Sequence, residues 1–247
     1  MIRGRPVLLQ LWTVRDQLKE DFSGSLNRIR ELGFAGVEPF NWDGLPLEHQ
    51  AQALQSAGLS CPAAHLPLPA GESLQASLEA AEALGVSWIV SGFGPEGFSD
   101  QASVARTARL AEEAARNARQ AGYGFALHNH WWEFQGQPPV WEEFSSQLSP
   151  LVRFEIDTYW AQVAGRDPAR LLHELGPRAP LIHLKDGSAV QGEAMLALGD
   201  GVMDIPGILQ ASQAELLVIE LDEHDGDMWN AVARSNAYLQ RLAAAGA

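Results

Sequence analysis

Cysteine is almost missing from this 247-residue chain: Cys61 stands alone, so no internal disulfide can form. Its Leu-Ser-Cys-Pro-Ala setting offers no flanking base to make a reactive thiolate, and it reads as a small buried residue. Basic residues are scarce too. Seventeen Lys and Arg against 31 Asp and Glu leave a formal charge of −14, which repels nucleic acid and anionic membranes and otherwise serves as the solubility charge of an acidic surface. No stretch approaches the roughly 20 apolar residues that span a bilayer. The opening 12 residues carry two arginines and a short apolar run broken by Gln10, with no small-residue cleavage site, so a cytoplasmic protein is expected. No G-x-G-x-x-G follows the first apolar run, which removes the main argument for an open dinucleotide-binding sheet. Long single-sign charge runs and linkers rich in Pro, Gly or Ser are also lacking, so residues 1–247 read as one ordered domain.

What the chain does have is a repeating unit, built from a composition 46% hydrophobic. Strands are expected at residues 7–12, 36–40, 59–65, 86–91, 123–130, 152–157, 180–185 and 216–221. Helices are expected at 22–32, 47–57, 73–84, 99–121, 140–148, 168–175, 205–211 and 227–244. Gly33 and Gly58 stop the first two helices, and Pro168 suits a first turn. Eight strand-helix units in strict alternation imply a parallel sheet closed on itself, the α/β class in its (β/α)8 barrel form.

In such a barrel, active sites are assembled where strands give way to the following loops. The polar residues near those ends are Gln10, Glu38, His65, His128 with His130, Asp157, His183 with Lys185, and Glu220. Only strand four, ending in Ser91-Gly92, offers nothing strong. A single Gln10 or His65 can be a buried polar group satisfied by a neighbour, but buried carboxylates are costly unless paired or metal-bound. Asp157 and Glu220, each closing an apolar strand, therefore read as ligands. Glu155, two residues before Asp157 on the same face, sits deeper, and an internal ion pair with Lys185 or Arg153 is expected. Carboxylates with an imidazole and no thiolate suit Mn²⁺, Mg²⁺ or Co²⁺, with Zn²⁺ as a further candidate.

These residues resemble a known group, the xylose-isomerase-like TIM barrels of the sugar phosphate isomerase/epimerase family. The resemblance spans nearly the whole chain. It is carried by LQLWTVRD at 9–16, GFAGVEPF at 33–40, HNHWWEF at 128–134, FEIDTYWAQVAGRDP at 154–168, LIHLKD at 181–186 and LGDGVMDI at 198–205. It implies a divalent metal, typically Mn²⁺, held by Asp157, His183, Glu220 and a carboxylate from strand five. That strand here ends in His128-Asn129-His130 where family epimerases tend to have Glu-Asn-His. Either His128 takes the ligand place or Glu133 folds back from the loop to fill it, and Glu133 is the reading adopted.

The resemblance further implies that Glu220 and Glu133 exchange protons with the substrate, with His128 and Lys185 beside them. Glu38 and His65 resemble positions that hold substrate hydroxyls, and Gln10 and His130 join them as expected substrate contacts. Trp12, Trp42, Phe93, Trp131, Trp132, Tyr159 and Trp160 cluster at strand ends, and Trp131 and Trp160 are the expected sugar-stacking pair. No phosphate cradle is visible, although Arg15 and Arg166 leave a phosphate open. The expected partner is a small sugar or polyol, with a homo-oligomer as the assembly if there is one. The expected activity is metal-dependent isomerisation or epimerisation of a keto-sugar or polyol derivative through an enediolate. The alternatives are a lyase or dehydratase acting on a keto-inositol or 3-keto-glycoside, a non-catalytic sugar-binding barrel, and an abasic-site endonuclease, which the acidic surface disfavours.

Overall fold

A computed structural model describes residues 2, 4–40, 44–136 and 140–246. Strand β1 (Val7–Gln10) leads into helices α1 (Arg15–Glu20) and α2 (Phe22–Glu31), β2 (Gly36–Glu38) into α3 (Leu47–Ala57), and β3 (Ala63–His65) into α4 (Leu74–Leu84). Next come β4 (Trp88–Ser91) with α5 (Gln101–Gln120), and β5 (Gly124–His128) with α6 (Val140–Ser146). Strand β6 (Arg153–Asp157) is followed by α7 (Thr158–Val163) and α8 (Pro168–Leu175), β7 (Leu181–Leu184) by α9 (Ile205–Ala211), and β8 (Leu216–Ile219) by α10 (Met228–Ala244).

The strands pair in parallel in the order β2-β1-β8-β7-β6-β5-β4-β3, a nearly closed barrel surrounded by helices. Its seam lies between β2 and β3. There the ladder thins to one bridge, Gly36 to Ser60, and three backbone bonds: Val37 N to Ser60 O at 2.9 Å, Ser60 N to Ala35 O at 3.4 Å and His65 N to Pro39 O at 2.7 Å. Pro62 has no N–H to give, so the strand expected from residue 59 pairs regularly only from Ala63. A Cβ on Gly36 would sit 2.2 Å from Ser60 O, so glycine is what lets the two backbones meet.

Alternation along each strand sorts the side chains. Leu9, Val37, Ile89, Phe125, Phe154, Ile156, Ile182 and Leu217 face the helices in the main core. Leu8, Ala63, Val90, Ala126, Leu181 and Val218 fill the barrel interior as an apolar floor. Trp88 packs there over Gly124, whose Cβ would stand 2.4 Å from the indole. Six aspartates of this acidic chain begin helices, Asp21, Asp100, Asp157, Asp167, Asp204 and Asp227 each accepting a bond from a first-turn N–H. Each such cap contributes about 1 kcal/mol, so part of the negative charge is structural. No described helix is long and apolar enough to cross a membrane.

Candidate active site

Two residues further along every strand but β4, the interior turns polar. Gln10, Glu38, His65, His128, Glu155 and His183 succeed the interior positions of their strands, and Glu220 follows Val218 just past β8. The register sets them side by side: Gln10 opposite Glu38, His128 opposite Glu155, Asp157 opposite His183. Gln10 Nε2 donates to Glu38 Oε1 at 2.7 Å. The same Oε1 lies 2.9 Å from His65 Nε2 and 3.0 Å from His183 Nε2. Glu155 Oε2 gathers three imidazoles, with His65 at 2.7 Å, His128 at 3.0 Å and His183 at 3.1 Å.

Burial works against charge on His65, but Glu38 and Glu155 outweigh it and lift its pKa to about 10. His183 is likewise raised well above the usual imidazole range, against its burial, by Glu155, Glu220 and Glu38. His128 goes the other way, lowered by burial and by the neighbouring His183 and His65. Deep in the barrel, then, the carboxylates favour the protonated forms of His65 and His183 while His128 is held neutral, and a cation bound by His183 would displace that ring's proton.

A second polar layer stands above the first. Lys185 Nζ lies 2.9 Å from Asp157 Oδ2, 2.8 Å from Glu220 Oε2 and 2.7 Å from Asp222 Oδ2. Burial opposes the ammonium charge, and the three carboxylates hold it nonetheless. Glu220 also accepts from His183 Nδ1 at 2.7 Å, and Lys185 with His183 keeps it ionised despite burial. Ligating atoms of His128, Asp157, His183 and Glu220 lie within 4.8 Å of one another, which fits two imidazoles and two carboxylates around one divalent cation. Asp157 Oδ2 supports the fit: it is near Lys185 but outside hydrogen-bonding geometry, a buried carboxylate oxygen with no hydrogen-bond partner. A deeper set of His65, His128, Glu155 and His183 is equally close, but there the three imidazoles already converge on one oxygen.

Above this cluster opens a cavity of about 580 Å³ lined by Gln10, Trp12, Phe40, His65, His128, His130, Trp160, Lys185, Glu220 and Asp222 among others. Burial, followed by the charge of Lys185, lowers His130 to about 3, so its ring is neutral at physiological pH. Trp131 packs against Trp160 with centroids 4.7 Å apart and lines an adjoining cavity instead.

Three expectations are corrected. Glu133 does not fold back to the cluster. It sits in a single 3₁₀ turn behind β5, its Oε2 accepting from His130 N at 2.9 Å, and it borders a space walled by Phe93, Trp141, Phe144 and Phe154 on the helix side. His128 occupies the strand-five place. Glu38 is fully buried beneath the cavity and holds Gln10, His65 and His183, so it supports the floor and does not touch the mouth. Glu155 pairs with histidines, not with Lys185 or Arg153. The register pairs Glu155 with Leu181, so Lys185 lies higher and reaches Asp157 instead, and Arg153 at the strand start donates to Pro177 O. Trp42 lies outside the described residues.

Three residues were missed. Asp222, two positions past Glu220 and so on the same face, completes the triad around Lys185; burial raises it to about 6. Asn129 clamps β6 by bonding both the N–H and the carbonyl of Asp157. Asp186 accepts the N–H groups of Gly187, Gly199, Gly201 and Met203, which explains the Leu198-Gly199-Asp200-Gly201 loop: its donors wrap a carboxylate of the chain itself. A Cβ at Gly201 would fall 2.1 Å from Asp186 Oδ1.

A family model described as the xylose isomerase-like TIM barrel matches residues 26–222. The chain belongs to that family. Among solved structures, this xylose isomerase-like barrel is similar to a sugar phosphate isomerase/epimerase from Parabacteroides distasonis, with 23% identity, 96% and 94% of the two chains covered and a TM-score of 0.78. It is also similar to the probable 3-DHS dehydratase of petrobactin synthesis from Bacillus anthracis, at 17% identity, 96% and 98% coverage and a TM-score of 0.71. A xylose isomerase-like barrel from Mycobacterium smegmatis in complex with magnesium is 16% identical, with 97% of each chain covered and a TM-score of 0.71. At these identities the likeness is one of fold. No curated protein matches the chain in sequence.

Proposed function

We propose that the protein is a metal-dependent enzyme that enolises a keto-sugar or polyol derivative, acting as an isomerase or epimerase. The convergence of His128, Asp157, His183 and Glu220 at the base of an open cavity supports this reading most directly. Those four side chains would hold a divalent cation, Mn²⁺ by preference with Mg²⁺, Co²⁺ or Zn²⁺ as alternatives, which would supply positive charge beside the developing oxyanion. Glu220, ionised at neutral pH, takes the proton from the carbon next to the carbonyl. The charges that keep it ionised also make it a weak base. Lys185 offsets this, because the ammonium that depresses Glu220 stands where an enolate oxygen would be stabilised. His65, Gln10 and neutral His130 face the cavity with groups suited to hydroxyls, and Trp160 offers a ring face.

An unphosphorylated substrate is the reading supported by where the arginines and the loop's backbone donors are spent. Arg166 pairs with Glu142 and Glu174, and Arg15 donates to the carbonyls of Trp12 and Asp222 at 2.9 Å each. The backbone donors of residues 199 and 201 belong to Asp186.

A second reading, elimination by a lyase, draws on one feature. The group that faces the substrate from β5 is imidazole, His128 or His130, and not a second carboxylate, which suits protonation of a leaving oxygen. Proton NMR in heavy water on a panel of ketoses, inososes and 3-keto-glycosides separates the two. Deuterium gained at carbon without loss of water supports isomerisation or epimerisation, and an unsaturated product supports elimination. Metal-independent exchange at an unchanged rate in Glu220→Gln overturns both.

A further inference from the structure

The cavity over the cluster has a neighbour. A second one of about 380 Å³ is lined by Trp131, Gln191 and Met195 among others, and it shares Trp12, Trp160 and Asp222 with the first. Both volumes fall in the range of about 300–1,000 Å³ that holds a small ligand. The dividing wall is therefore made of two indoles and the carboxylate that anchors Lys185.

The far wall is built, not draped. Met195 N donates to Glu223 O at 2.9 Å, His224 Nδ1 bonds Met195 O at 2.8 Å, and Asp222 N meets Met195 Sδ at 3.3 Å. At its root the loop is latched by Asp186 through Leu196 N to Asp186 O at 2.9 Å.

We propose that this second cavity is a subsite for a second, neutral sugar ring, so that the substrate is a glycoside of at least two rings whose carbonyl-bearing ring sits over the cluster. The proposal rests on the enolisation reading for the first cavity. Three tryptophans line it with aromatic surface suited to the C–H side of a pyranose, Trp131 and Trp160 tilted 53° to each other at 4.7 Å and Trp12 carrying Arg15 on one face. Gln191 and Glu193 of the loop, with Glu223, also line it and supply acceptors for ring hydroxyls. Charge selects against an anionic ring such as a uronate or sugar phosphate. The cavity borders three carboxylates, and its one guanidinium, Arg15, is stacked on Trp12 at 4.5 Å and already donates to two carbonyls. A flat aromatic aglycone would leave the acceptors unpaired.

Calorimetric titration of the full chain tests this with methyl β-glucopyranoside, a panel of neutral glucose disaccharides differing in linkage, and 4-nitrophenyl β-glucopyranoside. At least one disaccharide is expected to bind about tenfold more tightly than the methyl glycoside. Gln191→Trp, an exposed loop position that borders only the second cavity, should cut that advantage below about threefold and leave methyl glycoside binding unchanged. Equal affinity across disaccharides and methyl glycoside, binding of none of them, a gain confined to the nitrophenyl compound, or an advantage that survives Gln191→Trp would each overturn the subsite. No turnover is involved, so the result is independent of deuterium exchange: exchange without a disaccharide advantage removes the subsite alone, and the converse removes the enolisation reading.

Discussion

Replacing Glu133 by glutamine separates a buried structural carboxylate from a metal ligand. Burial raises this carboxyl from 4.5 to about 8, with the N–H of His130 only partly compensating. A carboxyl whose folded pKa lies above its unfolded value stabilises the fold below the unfolded pKa, and that contribution is lost as pH rises through the folded one. The window is therefore pH 4.5 to about 8. At about 1.4 kcal/mol per pH unit the full loss is on the order of 4–5 kcal/mol, an upper figure and a large share of a typical domain's stability. Glutamine cannot ionise, its carbonyl can keep the bond from His130 N, and its amide can reach toward His130 Nδ1, a buried atom without a partner 4.0 Å from Glu133 Oε1. Urea unfolding followed by tryptophan fluorescence should show Glu133→Gln within about 1 kcal/mol of the parent at pH 5 and more stable by roughly 2–4 kcal/mol at pH 8.5. Its Mn²⁺ affinity by calorimetry should be unchanged. A variant that is no more stable at pH 8.5, or that loses Mn²⁺ binding, would refute the placement of Glu133 behind β5.

Asp157→Asn should weaken Mn²⁺ binding by at least about tenfold and abolish metal-dependent exchange, while chelation of the parent should stop turnover reversibly; calorimetry and a refill with Mn²⁺ check both. His183→Ala strips Glu38, Glu155 and Glu220 of a shared partner inside the barrel and should cost about 3–5 kcal/mol in urea unfolding, a loss below about 1 kcal/mol arguing against the ion-paired layer. His65 is held charged to about 10, so its contribution is complete below pH 6.5 and lost toward pH 10; His65→Gln should flatten that part of the stability profile. Asp186→Ala leaves four N–H groups without their acceptor and should open residues 187–203 to limited proteolysis.

Most of the barrel was legible in the sequence because its signals are local. Gly58 closes α3 in a left-handed conformation, Pro168 and Asp167 open α8, and apolar runs mark every strand. Strand ends were read too long where a polar residue stops the ladder: Gln10 turns the chain into a 3₁₀ segment by accepting from Trp12 N at 3.2 Å. Helix α7 was invisible because Thr158, Tyr159 and Trp160 have strand-like propensities, and what starts it is Asp157 Oδ1 capping Trp160 N at 2.9 Å. The polar ring itself was visible by parity. Which members pair was not, because pairing depends on how high each strand places its residue: parity puts Glu155 and Lys185 on one face, and the register sets them in different layers.

That layering also bears on how a cation could enter. Asp157 and Glu220 are shared between the proposed cation site and Lys185, whose ammonium stands within 2.9 Å of both and 2.7 Å from Asp222. Two positive charges cannot both sit at full contact with the same two carboxylates without strong repulsion. Asp222 lies outside the ligand set, on the cavity side, and gives the ammonium an anion to retain when it yields the other two. Asp222→Asn should therefore weaken Mn²⁺ binding even though the residue touches no proposed ligand position, whereas an independent Asp222 would leave the affinity unchanged. Calorimetric titration with Mn²⁺ at fixed pH distinguishes the two, and a double variant with Lys185→Met should restore affinity if the ammonium is the competitor.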